Sequence, residues 1–226
     1  MHAEPLSRRL LAEGIGSMTL TATVVGSGVM AQRLAAGNVA IALLANAAAT
    51  VLALYVLISL FGRISGAHFN PAVTIIDGVR GRKPRADICA YAAIQIFGCC
   101  LGTLLAHVMF ELPLLQVATH VRTGPAQWIS ESIATCGLLL VVIGRHRAED
   151  APVLVACWIG AAYWFTASTS FANPAITIAR SLTDSFVGIR PIDVPAFVIA
   201  QMAGAFIALI LSRWLFQAAT AKPNDA

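Results

Sequence analysis

Charge is scarce in this sequence: 12% of its 226 residues are Asp, Glu, Lys or Arg, against 58% hydrophobic. That is about half the charged share of an ordinary soluble domain, so a water-soluble globule is excluded. Metal-ligand spacing is also lacking. The cysteines Cys89, Cys99, Cys100, Cys136 and Cys157 all fall in apolar runs, with no CxxC pair and no Cys/His cluster. Packing is their expected role, and neither a metal site nor a cofactor is expected. Adjacent Cys99 and Cys100 would point to different faces of one helix, which disfavours a joint ligand pair. A nucleotide-binding motif is missing, which leaves active pumping by this chain unsupported. So is any convergence of nucleophile, base and acid, and no catalytic residue is expected. The net charge of +4 would suit nucleic acid, but the basic residues sit in short segments between apolar runs and form no stripe.

What fills the chain instead is long apolar stretches. They run from Leu10 to Met30, Asn38 to Leu60, Ile88 to Phe110, Trp128 to Ile143, Val153 to Ala167 and Val194 to Phe216. At 1.5 Å rise per residue, roughly 20 residues cross a hydrocarbon core of about 30 Å, so six transmembrane helices are expected. The first follows Met1 to Arg9 with no obvious cleavage site, and is read as a retained helix. Six crossings put both chain ends on one side. Arg8, Arg9, Arg63, Arg80, Arg82, Lys83, Arg85, Arg145, Arg147, Arg213 and Lys222 share that side, against Arg33, Arg122, Arg180 and Arg190 on the other. Cations accumulate on the cytoplasmic side, so both termini are expected there, in a multi-pass protein of the cell membrane.

Two further apolar segments, Asn70 to Val79 and Asn173 to Thr183, are too short to span, and each opens with Asn-Pro. His68-Phe69-Asn70-Pro71-Ala72-Val73-Thr74-Ile75 matches Phe171-Ala172-Asn173-Pro174-Ala175-Ile176-Thr177-Ile178 in register. A Glu stands in the first helix of each half (Glu13, Glu131) and a Gln in the last (Gln95, Gln201). Three crossings per half is an odd number, so the second copy must lie upside down relative to the first. The expectation is one transmembrane channel domain over residues 1–226, built from inverted repeats of about 8–110 and 126–217, with its site at the midplane.

Pro at the first helical position and Asn before it are favourable helix-start chemistry, so each motif begins a half-helix. Ten residues make about 15 Å, and two such re-entrant half-helices entering from opposite faces meet near the centre of the bilayer. Non-helical backbone at that depth is tolerated where it lines a cavity or is buried in protein. Two positive helix ends meeting there oppose a cation or hydrated proton, while the Asn70 and Asn173 amides can donate to water and hydroxylated solutes.

Ser65-Gly66-Ala67-His68-Phe69-Asn70-Pro71-Ala72-Val73-Thr74, Asn173-Pro174-Ala175 and the Glu13/Glu131 and Gln95/Gln201 pattern resemble the aquaporin, or major intrinsic protein, family. The resemblance implies an all-α membrane fold of six transmembrane helices plus two re-entrant half-helices. It also implies a homotetramer embedded in membrane lipid, each subunit with its own pore for water and small neutral solutes. It places a selectivity filter at Thr50, Ala161, Ser170 and Ile176 by ungapped counting, and makes Glu13, Glu131, Gln95 and Gln201 buried structural supports.

The arginine usual directly after the second Asn-Pro-Ala is replaced by Ile176. A wider, less charged filter is therefore expected, favouring glycerol, urea or arsenous acid in addition to water. The run from Asn173 to Ile189 resembles the bacterial aquaporin branch associated with arsenic resistance. A water-selective pore and a closed structural membrane protein remain as alternatives. His68 is expected at the cytoplasmic pore mouth. Arg180 has two readings: a liner of the outer vestibule, or a helix-end cation paired with Asp184 four residues on.

Overall fold

In the computed structural model residues 4–216 are described, and all regular structure among them is helical. Lys222 and the end of the second repeat at 217 lie outside the described residues. The helices are α1 (Leu6–Leu34), α2 (Val39–Ser65), α3 (Pro71–Val79), α4 (Arg85–Met109), α5 (Pro125–Gly144), α6 (Ala151–Phe165), α7 (Pro174–Ala179) and α8 (Val194–Phe216). Of these, α1, α2, α4, α5 and α8 are long and apolar enough to cross a membrane. The remaining expected crossing, α6, fifth of the six in chain order, has 15 residues, about 22 Å, and is extended at its start by the 3-10 turn Ala148–Asp150.

Helix boundaries follow local chemistry. Asn38 caps α2 by accepting from Ile41 N at 3.2 Å, and Gly66 ends it in the left-handed region at φ +94°. Pro125 and Pro152 sit in the first turns of α5 and α6, where a missing N–H costs little. The two short helices differ from the expected ten residues. α3 has 9 and α7 has 6, the latter continuing as the 3-10 turn Arg180–Leu182. Six α-helical and three 3-10 residues still rise about 15 Å, so the second half-helix reaches as far as expected. The tightening has visible causes: Ser181 O accepts from Ala118 N at 3.0 Å, and Arg180 O accepts from Ile189 N at 3.3 Å.

α1 packs on α4 and α2, α5 packs on α8 and α6, and α2 meets α6 across the middle. The short helices α3 and α7 touch each other, and each also lies against α4 and α8. Glycine lets the paired long helices approach closely. A Cβ at Gly102 would fall 2.2 Å from Met18 O on α1, and one at Gly204 would fall 2.1 Å from Ser132 O on α5. Such small-residue contacts replace the hydrophobic drive that lipid abolishes between helices.

The starts of α1 and α4 share a face through an Arg9–Asp87 ion pair at 2.8 Å. The end of α8 meets the end of α5, where Phe216 lies over Gly144. Leu11, Leu52, Ile199, Ile210 and Trp214 are exposed on the outside of the bundle. Apolar surface on this scale suits lipid contact or a partner subunit.

Candidate functional site

The two Asn-Pro-Ala elements meet inside the bundle. Asn70 caps α3, its Oδ1 accepting from Ala72 N at 2.9 Å; Asn173 caps α7, its Oδ1 accepting from Ala175 N at 3.0 Å. Each amide then reaches the other loop. Asn70 Nδ2 donates to Ala172 O at 2.8 Å, and Asn173 Nδ2 donates to Phe69 O at 2.7 Å. An amide nitrogen carries two protons, so one locks the loops together and one stays free for a passing acceptor. Pro71, Ala72, Pro174 and Ala175 are buried behind the asparagines.

The loops before each Asn are held in left-handed backbone at non-glycine residues: Ala67 (φ +48°), Phe69 (+47°), Thr169 (+61°), Ser170 (+50°) and Ala172 (+47°). Each such residue costs roughly 1–2 kcal/mol, which persists only where its surroundings over-determine it. Two buried carboxylates do this. Glu13 accepts from His68 N at 3.0 Å and Phe69 N at 2.7 Å. Glu131 accepts from both Phe171 N and Ala172 N at 2.9 Å.

Gln95 Nε2 donates to Glu13 at 2.8 Å and to Thr74 Oγ1 at 3.0 Å, and Gln201 Nε2 donates to Glu131 at 2.6 Å and to Thr177 Oγ1 at 2.8 Å. Thr74 and Thr177 close the chain onto Asn70 O and Asn173 O. The same network, Glu to loop, Gln to Glu, Thr to Asn, thus occurs twice. The threonines were visible in the sequence as identical positions of the repeat, but their role as hydroxyl bridges was not.

A cavity of about 300 Å³ runs through this meeting point. At one end lie Asp77, Arg82, Lys83, Arg145 and His68; in the middle are Asn70 and Asn173; beyond them are Thr50, Tyr163, Ser170, Ile176 and Arg180. Leu20, Val24, Leu54, Ile58, Val73, Leu138 and Val155 give it an apolar wall. His68 Nδ1 meets Thr74 Oγ1 at 3.0 Å, and its Nε2 lies 3.7 Å from Asp77. Lys83 stacks on the Tyr91 ring at 4.0 Å.

Three of the four expected filter residues, Thr50, Ser170 and Ile176, line the cavity. Ala161 does not: it is exposed on the outer side of α6. Counting from the motifs mistook the phase of that helix. The α6 residues that line the cavity are Ala151, Val155, Ile159 and Tyr163, each about one turn from the next, and the Tyr163 hydroxyl lies 3.3 Å from Thr50 Oγ1.

The pairing of Arg180 with Asp184 is also corrected. Asp184 instead accepts from Thr119 N at 2.9 Å and Thr119 Oγ1 at 2.8 Å, bonds that hold its carboxyl below the usual carboxylate range. Arg180 is 2% exposed, lines the cavity, and lays its guanidinium 3.3 Å above the Phe171 ring while Nε donates to Val187 O. A fixed cation therefore stands in the cavity, where a less charged filter was expected. Arg122, from the segment between α4 and α5, sits over the same ring at 4.9 Å and donates to Gly188 O at 2.8 Å, Ser168 O at 3.2 Å and Phe186 O at 3.3 Å. Burial brings its pKa down to about 10, which leaves it charged at neutral pH.

Comparison with known proteins agrees with this geometry. The family model for the major intrinsic proteins matches residues 1–166. The chain is 53% identical to the aquaglyceroporin AqpS of Rhizobium meliloti (strain 1021), over 97% of this chain and 94% of the relative. It is 31% identical to the probable aquaporin AqpM of Archaeoglobus fulgidus, over 93% of this chain and 96% of the relative. Its fold is similar to the X-ray structure of the aquaglyceroporin from Plasmodium falciparum, with a TM-score of 0.69 at 18% identity, covering 93% and 97% of the two chains.

Proposed function

Because the chain belongs to the major intrinsic protein family, and is therefore a passive membrane channel for small solutes, we propose that it is an aquaglyceroporin-like pore for neutral solutes of glycerol size as well as water. Urea and undissociated arsenous acid fall in the same class of small, uncharged, hydrogen-bonding solutes. The observation that carries this reading is the continuous cavity that reaches from Lys83 and Arg145, past Asn70 and Asn173, to Tyr163 and Arg180. Its wall is apolar on most sides, with a line of amide, hydroxyl and guanidinium groups on which a neutral solute can exchange its hydration.

In this reading Asn70 and Asn173 are the central donors and the barrier to cations. Thr50, Tyr163, Ser170, Ile176 and Arg180 form the outer filter, and His68 lines the inner mouth. Glu13, Glu131, Gln95 and Gln201 fix the loops. Both termini face the cytoplasm, in line with the excess of Lys and Arg on their side. The exposed apolar outer surface supports a homotetramer in lipid, each copy conducting through its own centre. A water-selective pore is the second reading, favoured by the buried guanidinium of Arg180 in the cavity.

Stopped-flow light scattering on liposomes carrying the purified protein tests the proposal, with water, glycerol and urea compared and arsenous acid uptake followed by elemental analysis. Glycerol flux well above protein-free vesicles is the expected result. Water flux alone supports the second reading, and no flux of any solute overturns both.

A further inference from the structure

Resting on the reading of the cavity as a conduction path, we propose that Arg180, Tyr163 and Ser170 form a solute-binding station that selects neutral polyols by pairing with their hydroxyls. Arg180 takes over the missing filter arginine from one helical turn farther along. It follows Ile176 by four residues, so the two share a face, with Arg180 about 6 Å farther out. Its stem is not free to swing. Nε is bonded to Val187 O and the guanidinium carbon lies 3.3 Å from the centre of the Phe171 ring. Among the described residues, Nη1 and Nη2 have no protein acceptor, although the side chain is 2% exposed and lines the cavity. With no protein acceptor, and not fully enclosed, these N–H groups open on the cavity, where a hydroxyl oxygen can accept from them.

Ser170 Oγ lines the same cavity and is likewise buried without a partner. Thr50 Oγ1 gives its proton to Asn46 O at 2.9 Å. The 3.3 Å contact between Thr50 and Tyr163 must therefore be donated by the phenol, whose oxygen then remains an acceptor for the pore. The station thus offers donors on the Arg180 edge and an acceptor at Tyr163. A hydroxyl satisfies both, accepting from the guanidinium and donating to the phenol oxygen. Ile176 supplies an apolar wall for the carbon side of the same solute. Neutral polyols match this division, and a bare cation meets a fixed positive charge.

The test compares wild type, R180A, R180K, Y163F and the double variant I176R/R180A in liposomes, reading glycerol, urea and water permeability and, with an internal pH dye, proton leak. R180A is expected to lower the glycerol-to-urea ratio roughly tenfold and to raise proton leak, because a charge-assisted contact is lost. R180K, which keeps the charge without the fork, should spare the barrier to protons but lose the glycerol preference. The double variant returns an arginine to the cavity one turn inward and should restore part of the ratio. Y163F should lower the ratio with no change in leak. A ratio and leak in R180A and R180K within twofold of wild type would mean that Arg180 only braces the outer loop, and the proposal is overturned. Should R180A not fold, R180K and Y163F decide by the same ratio. If wild type passes water but no glycerol, the glycerol-size reading fails separately. The station then stands if glycerol slows wild-type water flux by occupying the pore and R180A relieves that slowing, and it falls if glycerol leaves wild-type water flux unchanged or if R180A gains glycerol flux.

Discussion

Asn70 and Asn173 each donate to the carbonyl immediately before the other, Asn70 to Ala172 O at 2.8 Å and Asn173 to Phe69 O at 2.7 Å. The two half-helices are thereby clamped at their tips, and neither asparagine can turn without breaking the opposite loop. The clamp also fixes the free amide proton of each residue, because the amide oxygen is already committed to the helix start behind it. Pore polarity and fold stability are thus carried by the same two side chains.

Asn70→Asp or Asn173→Asp should therefore raise cation and proton leak. An ionised carboxylate cannot donate across the clamp, and its negative charge offsets the positive helix ends. A lowering of the barrier by about 1.4 kcal/mol gives about tenfold more leak. Dye-reported proton flux in liposomes reads the effect. Leak equal to wild type in both folded variants would refute the electrostatic barrier at the asparagines.

Glu131→Ala leaves the Phe171 and Ala172 N–H groups and the Gln201 amide without their shared acceptor. Each buried orphan costs about 1–3 kcal/mol, so a drop in the thermal unfolding midpoint of several degrees is expected, and Glu13→Ala should behave alike. Tryptophan fluorescence in detergent measures it. Exposed Glu149→Gln serves as the control, and a midpoint for Glu131→Ala equal to that control would rule out the carboxylate as a loop support.

Much of this arrangement was legible in the sequence because the repeat is written in identities. Asn, Pro, Ala and Thr recur in register, and Glu and Gln recur at matching places in the long helices. Asn-Pro is also a local signal, since capping chemistry needs no tertiary context. The facing of α6 was not legible. A helix buried in protein on one side and in lipid on the other is apolar all round, so no amphipathic stripe separates Tyr163 from Ala161. The place of Arg180 was hidden for a different reason. Its position depends on Val187 and Phe171, which the chain brings together through a 3-10 turn and a left-handed loop.

Gly204→Ala should destabilise the protein, because the new methyl would fall 2.1 Å from Ser132 O and force α5 and α8 apart. Overpacking of this kind costs typically about 1–3 kcal/mol. Gly62 is a contrasting case: it sits inside α2, and a Cβ added there would meet nothing within 4 Å. Gly62→Ala should be neutral or stabilise by up to about 1 kcal/mol through helix propensity. Thermal midpoints of the two variants in one detergent compare them directly, and equal midpoints would contradict the close crossing at Gly204.

Tyr163→Ala should change flux and Ala161→Leu should not, although they lie two residues apart on one helix. Tyr163 is 3% exposed, lines the cavity and touches Thr50, so its removal vacates space in the solute's path. Ala161 faces outward, so added bulk there meets lipid or a neighbouring subunit rather than the solute. Tyr163→Ala is expected to admit polyols longer than glycerol, with a roughly tenfold rise for a four-carbon polyol, while Ala161→Leu leaves every permeability within about twofold of wild type. The liposome assay with a ladder of polyols reads both. A block by Ala161→Leu combined with silence of Tyr163→Ala would reverse the assigned phase of α6 and return the filter to the position that counting along the sequence suggests.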